Sequence, residues 1–179
     1  MEQVIGDGVS IRNFLYGDAG GLAKYGDNPN IAMNQRECFP NPYTVEHARK
    51  WIAHVREHQA ATRFVIATKK EAIGEIGVSI QPDVHRYSAE IGFWIGESYW
   101  GRGLMTKAIS WMTEYCFTTL KIKRLFADVI EYNVASQRVL DKCGFTHEST
   151  ARQHICKQDT FYDQLVYVLI NEGMSSPPG

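Results

Sequence analysis

A chain of 179 residues, 44% apolar and 22% charged, is long enough to bury a core and ordinary in composition for a globular protein. Its formal net charge of −1 leaves no cationic footprint for nucleic acid or an anionic membrane. No apolar run reaches the roughly 18 residues of a membrane span. The acidic opening Met1–Asp7 lacks the apolar stretch of a signal peptide. Cys38, Cys116, Cys143 and Cys156 form no C-x-x-C pair, so the expectation is a cytoplasmic protein with reduced thiols, Cys116 and Cys143 lying on apolar helix faces.

Val9–Phe14 alternates and predicts a first strand, and Asp18 is placed to cap a short helix from Ala19 to Tyr25. Asp27-Asn-Pro-Asn30 breaks that helix and can cap a second short one through Asn34. The prolines in Phe39-Pro-Asn-Pro-Tyr43 hold that stretch extended. Thr44 opens the next helix, running to Gln59 with an apolar stripe of Val45, Ala48, Ile52 and Val55 and Trp51 at its margin. Thr44-x-x-His47 lacks the acidic third position of a capping box.

Arg63–Thr68 and Ala72–Ile80 read as a hairpin, followed by a polar loop and the strand Ser88–Ile95. Three consecutive strands before the helix Gly103–Thr119 predict an antiparallel meander feeding a crossover. Arg124–Ile130 is a further strand, and Ala135–Cys143 is a helix stopped by Gly144. Phe145–His154 and Thr160–Ile170 form a closing antiparallel pair. The residues from 172 to 179 are too polar and proline-rich to pack and are expected to be a disordered tail, leaving one domain over 7–171.

Three stretches carry possible chemistry. His54-Val-Arg-Glu57-His58 matches an inverted zinc-protease pattern, but it offers no third ligand and reads as a polar helix face, so no metal is expected. Gly101-x-Gly103-x-x-Thr106 follows a strand and opens a helix. Helix-start N–H groups and the helix dipole suit such a turn to holding phosphate. A dinucleotide site, with Asp128 on the ribose, is disfavoured by the missing third glycine and by the five residues between Ile95 and Gly101.

The third stretch is Asn133-x-x-Ser136-x-x-x-Leu140-x-Lys142-x-Gly144-Phe145, which resembles the second cofactor-binding motif of the GNAT acetyltransferase superfamily. Trp100-Gly-Arg-Gly-Leu-Met-Thr106 sits where that superfamily has its pyrophosphate loop, Q/R-x-x-G-x-G/A, with Trp100 at the Gln/Arg position and Met105 at the last Gly/Ala. Phe39–Thr44 and Arg152–Ile155 further resemble the ribosomal-protein alanine and serine N-terminal acetyltransferases (RimJ/RimL-like). The resemblance implies a single-domain α/β (α+β) fold with a mixed, mostly antiparallel seven-stranded sheet and helices on both faces.

It also implies transfer of acetyl from acetyl-CoA to a primary amine, foremost a protein N-terminal α-amine on a ribosomal protein. A small amine such as a polyamine, amino acid or antibiotic is the alternative acceptor. A non-catalytic acyl-CoA sensor is the alternative of another class. Coenzyme A would be held by Phe93, Trp94, Ile95, Trp100, Gly101, Arg102, Gly103, Leu104, Met105, Thr106, Asn133 and Ser136. Glu90, in an Ala-Glu-Ile-x-Phe strand similar to the one carrying the catalytic glutamate of histone acetyltransferases, is the candidate base or else a structural carboxylate. Alternation puts Glu90, Gly92 and Trp94 on the face opposite Ala89, Ile91 and Phe93. Leu140 occupies the position of the superfamily's tyrosine acid and cannot donate a proton. Ser136 is the second catalytic candidate, as proton donor to the thiolate, with cofactor contact or helix capping as its other readings. No nucleic-acid or membrane partner is expected, and the oligomeric state stays open between monomer and homodimer.

Overall fold

The computed structural model describes residues 2–177; Met1 and the last two positions of the expected tail lie outside the described residues. The described elements are β1 Glu2–Gly6, β2 Val9–Arg12, α1 Ala19–Gly26, α2 Pro29–Ala32, α3 Val45–His58, β3 Arg63–Thr68, β4 Ala72–Ile80, β5 Ser88–Ile95, α4 Leu104–Thr118, β6 Arg124–Ile130, α5 Val134–Lys142, β7 Thr146–Lys157 and β8 Thr160–Ile170. They pack as two compact units, Met1–Gly77 with Phe93–Ala108, and Val78–Gly92 with Ile109–Gly179. No helix among the described residues is long and apolar enough to cross a membrane.

In the first unit β1, β2, β3 and β4 follow one another as antiparallel neighbours. The mixed α/β class and the mostly antiparallel sheet are as expected, but the described residues form eight strands rather than seven. The additional one is β1, and the expected domain start at residue 7 falls inside its turn. Asp7 and Gly8 both have positive φ (54° and 69°), the geometry of a two-residue hairpin turn. Only Ile5 of β1 is buried, so the strand has no apolar rhythm to announce it.

Two helix starts differ from expectation. Asp18 makes no side-chain bond to the start of α1. Its carboxylate instead accepts two hydrogen bonds from Arg12 (2.8 and 2.7 Å) and one from the Leu15 N–H (2.7 Å), an ion pair outbidding a cap. At α3 the Thr44 hydroxyl accepts from the His47 N–H (3.3 Å) while His47 Nδ1 accepts from the Thr44 N–H (3.2 Å), so a histidine completes the capping box. Ala48, Ile52 and Val55 of the α3 stripe are buried with Phe14, Leu22 and Tyr43, whereas Val45 stays exposed.

A carboxylate is sunk into this apolar layer. Glu75, on β4, is 6% exposed and accepts from Trp51 Nε1 at 2.7 Å and from Arg63 Nη1 at 3.0 Å. Burial pushes its carboxyl above the ordinary range, against the pull of the Arg63 charge and of the Trp51 and Trp94 side chains.

In the second unit the order is β5, β6, β8, β7. β5 runs parallel to β6 over Ser88–Glu90 against Arg124–Phe126, β6 is antiparallel to β8 from Arg124↔Ile170 to Ile130↔Gln164, and β7 closes antiparallel on β8. Parallel neighbours need a crossover rather than a tight turn, and α4 lies in the intervening chain. Gly144, at φ 83°, ends α5 in the left-handed conformation anticipated for it. Beyond β8, the Met174 N–H donates to the Asn171 carbonyl (3.1 Å) and Lys123 Nζ to the same oxygen (2.7 Å).

Two outcomes follow from this packing. Glu75→Ala strands buried donors and is expected to lower stability by about 3 kcal/mol, measured by denaturant unfolding, with a smaller loss for Glu75→Gln. Burial pushes the Cys116 thiol up to about 12, while Cys38 and Cys156 are exposed and Cys143 is intermediate. Native protein treated with a thiol reagent should label Cys38 and Cys156 first, Cys143 slowly, and Cys116 only on unfolding. Mass spectrometry reads the order, and early labelling of Cys116 would contradict this core.

Candidate functional site

In the first unit the end of β5 and the turn after it form one construction. The Gly96 N–H donates to the Ile73 carbonyl (2.7 Å), and a 3-10 turn over Glu97–Tyr99 leads to Trp100. Trp100 is 44% exposed, yet its Nε1 donates to the Ile95 carbonyl at 2.8 Å, pinning the loop to the strand end. Gly101 and Gly103 follow at φ 74° and 71°, where a Cβ would strain the backbone although it would meet no protein atom within 4 Å. The glycines are therefore required by conformation, and the space beside them is open to a ligand. The 3-10 turn also shows why a dinucleotide loop does not fit: the strand does not pass directly into the glycines.

The first helical bond of α4 runs from the Lys107 N–H to the Gly103 carbonyl (3.2 Å), so the Leu104 and Met105 N–H groups stand ahead of it. The side chains of Leu104 and Met105 turn into the core, 1% and 9% exposed. Met105 at the expected Gly/Ala position thus leaves the outer side of the loop clear. Arg102 lies outside, its Nη2 donating to the Ser98 carbonyl (2.8 Å) and its guanidinium over the Tyr99 ring at 5.1 Å. What the loop presents is backbone N–H at a helix start, a fit to a pyrophosphate.

Along β5, Ala89 and Ile91 are buried, Glu90 is half-buried and Gly92 exposed, as alternation requires. The pattern then fails, because Trp94 and Ile95 are both buried. The cause is the segment after α2: Phe39 and Tyr43 close over Trp94 at ring distances of 5.9 and 6.4 Å. α2 and the residues on either side of it are tied down elsewhere as well. Asn28 Nδ2 and Asn30 Nδ2 donate to Glu97 (2.7 and 3.1 Å), Asp27 accepts from the Tyr43 N–H (3.0 Å), and Gln35 Nε2 reaches the Phe93 carbonyl at 3.5 Å.

In the second unit Glu90 stands opposite Phe126 at the last pair of the parallel ladder. β6 then leads to Asn133, whose Oδ1 accepts from the Ser136 N–H at 3.1 Å and caps α5. The helix-capping role weighed for Ser136 therefore belongs to Asn133, and the Ser136 side chain is not the cap. Leu140 is fully buried. His54 and His58 lie on α3 with rings 5.1 Å apart, His54 stacked on Trp51. Among the described residues no three side chains gather as metal ligands.

Sequence reasoning missed a group in the second unit. The Asp163 N–H donates to Glu131 Oε1 (2.9 Å), the Glu131 N–H returns to the Asp163 carbonyl (3.1 Å), and Asp163 Oδ1 accepts from the Gln153 N–H (2.8 Å). Gln137 Nε2 donates to the Glu131 carbonyl (2.8 Å), and Tyr132 meets Tyr162 edge-on at 4.9 Å. The available signal was a carboxylate two residues before Asn133 and another inside an apolar strand.

The chain is similar to several known proteins. YoaA of Bacillus subtilis (strain 168), an uncharacterized N-acetyltransferase, is 39% identical over 56% of each chain, so the match spans little more than half of that relative. The suspected ribosomal N-acetyltransferase YdaF of the same organism is 30% identical over 82% of this chain and 74% of its own. The spermidine N(1)-acetyltransferase of Escherichia coli (strain K12) is 31% identical over 66% and 64%. Among solved structures, a ribosomal-protein-S5-alanine acetyltransferase from Vibrio fischeri superposes with TM-score 0.81 at 21% identity, covering 96% and 97% of the two chains. A RimL ribosomal L7/L12 acetyltransferase in complex with coenzyme A gives 0.80 at 21% over 95% and 98%. At these identities the structural likeness is one of fold. The family model for the acetyltransferase (GNAT) domain matches residues 9–146, most of the chain: this protein belongs to the GNAT acetyltransferase family.

Proposed function

We propose that the chain transfers acetyl from acetyl-CoA to the α-amine of a protein N-terminus. The observation that carries the acyl-CoA reading is the pair of left-handed glycines heading α4, with open space at both positions. Gly101, Gly103 and the N–H groups of Leu104, Met105 and Thr106 would hold the pyrophosphate, with Arg102 and Trp100 beside it. The backbone of Phe93, Trp94 and Ile95 would pair with the pantetheine arm as an added strand does. The ladder between β5 and β6 stops at Glu90, which supports this, since a strand already paired there has no backbone groups to offer. Asn133 and Ser136 would contact the cofactor at the start of α5.

Bound acetyl-CoA supplies an activated thioester, and the chain's residues handle protons and charge. An α-amine has a reference pKa near ~8 against ~10.4 for lysine, so at neutral pH it needs only modest base assistance. Glu90 would take that proton, directly or through one water, and pass it on to solvent, while Ser136 would relay a proton from solvent to the departing thiolate and so end as the neutral hydroxyl. Backbone N–H groups of β5 stabilise the negative charge that grows on the acyl oxygen.

The ribosomal-protein acceptor is supported by the YdaF relative, which matches over 82% of this chain. The spermidine acetyltransferase relative favours a small polyamine as the second reading. Thiol release from acetyl-CoA with a panel of N-terminal peptides, spermidine and amino acids separates them, with release on the peptides expected. Stabilisation by CoA with no amine-dependent release would instead mark a sensor. Glu90→Gln is expected to lower kcat about 100-fold with CoA affinity unchanged by calorimetry, and a kcat unchanged across pH would remove Glu90 as base. Ser136→Ala is expected to lower kcat about tenfold; near-normal turnover would assign Ser136 to cofactor contact alone.

A further inference from the structure

The missed group around Asp163 builds something. The β7–β8 register shifts twice: Glu148 is extra between His147↔Tyr167 and Ser149↔Val166, and between Ala151↔Gln164 and Ile155↔Tyr162 the three residues Arg152, Gln153 and His154 together oppose Asp163 alone. A bulge of this kind bends the strand and redirects its side chains. Gln153 sits at φ 50°, a left-handed conformation unfavourable for a non-glycine residue and so in need of outside support. The support is Asp163, whose Oδ1 accepts the Gln153 N–H at 2.8 Å.

Asp163 is itself fixed, through both of its backbone polar groups, to Glu131. Glu131 leads directly into Tyr132 and the cap Asn133, and its carbonyl is held by Gln137 of α5. A continuous set of hydrogen bonds within the second unit therefore registers the β7 bulge against the start of α5. Arg152 and His154 are exposed at that bulge, and among the described residues no hydrogen bond or ion pair engages either side chain. The carboxylates of Glu131 and Asp163 are each held by a backbone N–H, and Arg152 is the exposed cation of the bulge.

We infer that Asp163 is a positioning residue that presents Arg152 to the acceptor, and that the acceptor class is a peptide N-terminus carrying carboxylates within its first few residues. This rests on the acyl-transfer reading above, in which Ser136 at the start of α5 stands at the reacting thioester. A guanidinium recognises a carboxylate by charge-assisted, directional bonds and repels a polyamine.

The test uses the full chain loaded with CoA or acetyl-CoA and three peptides differing only at positions two and three: two glutamates, two glutamines or two lysines. Fluorescence anisotropy gives peptide affinity, and thiol release gives kcat/KM. Wild type is expected to favour the glutamate peptide. Arg152→Gln should reduce that preference about fivefold, as loss of one exposed charged contact does, and Arg152→Glu should turn it toward the lysine peptide. Asp163→Ala should match Arg152→Gln, while Asp163→Asn, which keeps an acceptor oxygen, should retain most of the preference. CoA affinity should stay constant throughout. Equal affinity of wild type for the three peptides, or a preference unmoved by Arg152→Glu, overturns the inference. Should Asp163→Ala fail to fold, the two Arg152 variants still decide it. Preferential binding without thiol release on any peptide would sink the acyl-transfer reading and leave the recognition by Arg152 standing.

Discussion

Two neighbouring parallel strands cannot be joined by a tight turn, and that constraint organises this molecule. β5 and β6 are such a pair, so the chain must leave the strand at Ile95 and return at Arg124. On the way out it needs a turn that starts a helix, and a helix start carries backbone N–H groups with no acceptor of their own. Gly101 and Gly103 in the left-handed region, with the Trp100 indole fixed to the Ile95 carbonyl, set the direction of those groups. The anion-binding capacity is thus a by-product of how a parallel step is connected. The residues after β6 repeat the arrangement on a smaller scale, with Asn133 capping α5.

The loop and the recognition elements use different parts of the residues. At the loop, side chains are withdrawn: Leu104 and Met105 point into the core, and Arg102 lies against Tyr99. What the loop offers a ligand is main chain, and Trp100 and Met105, at positions where the superfamily pattern has other residues, leave that offer unchanged. At the β7 bulge the main chain is occupied by Asp163 and the side chains of Arg152 and His154 project. A constant cofactor suits the first arrangement, and a variable partner suits the second.

Local features were legible in the sequence, and distant ones were not. The strand–glycine–helix stretch, the three-strand meander and the left-handed Gly144 follow from residues adjacent in the chain, and all are present. Asp18 failed as a cap because Arg12, on another element, takes its carboxylate. β1 went unseen because it buries one side chain, although Asp7-Gly8 is a hairpin signal in its own right. Trp94 broke the alternation because Phe39 and Tyr43, far back in the chain, cover it. Glu75 and Asp163 carried the weakest signal, a single charge in an apolar strand, since their partners lie 24 and 10 residues away. The candidate site divides likewise: the left-handed glycines at the start of α4 are a local feature legible in the sequence, while the Glu131–Asp163 link spans 32 residues and is not.

The bulge has a second effect, on how copies of the chain meet. β7 is the last strand in the sheet order and twelve residues long, so its outer side presents a row of backbone donors and acceptors. A flat edge of that length is a template on which another chain can zip, the usual start of edge-to-edge aggregation. Three residues opposite one, with a left-handed residue at their centre and an arginine at their head, together with the smaller shift at Glu148, break the row into three short runs. An edge interrupted in this way is a poorer template for a second strand than an unbroken one.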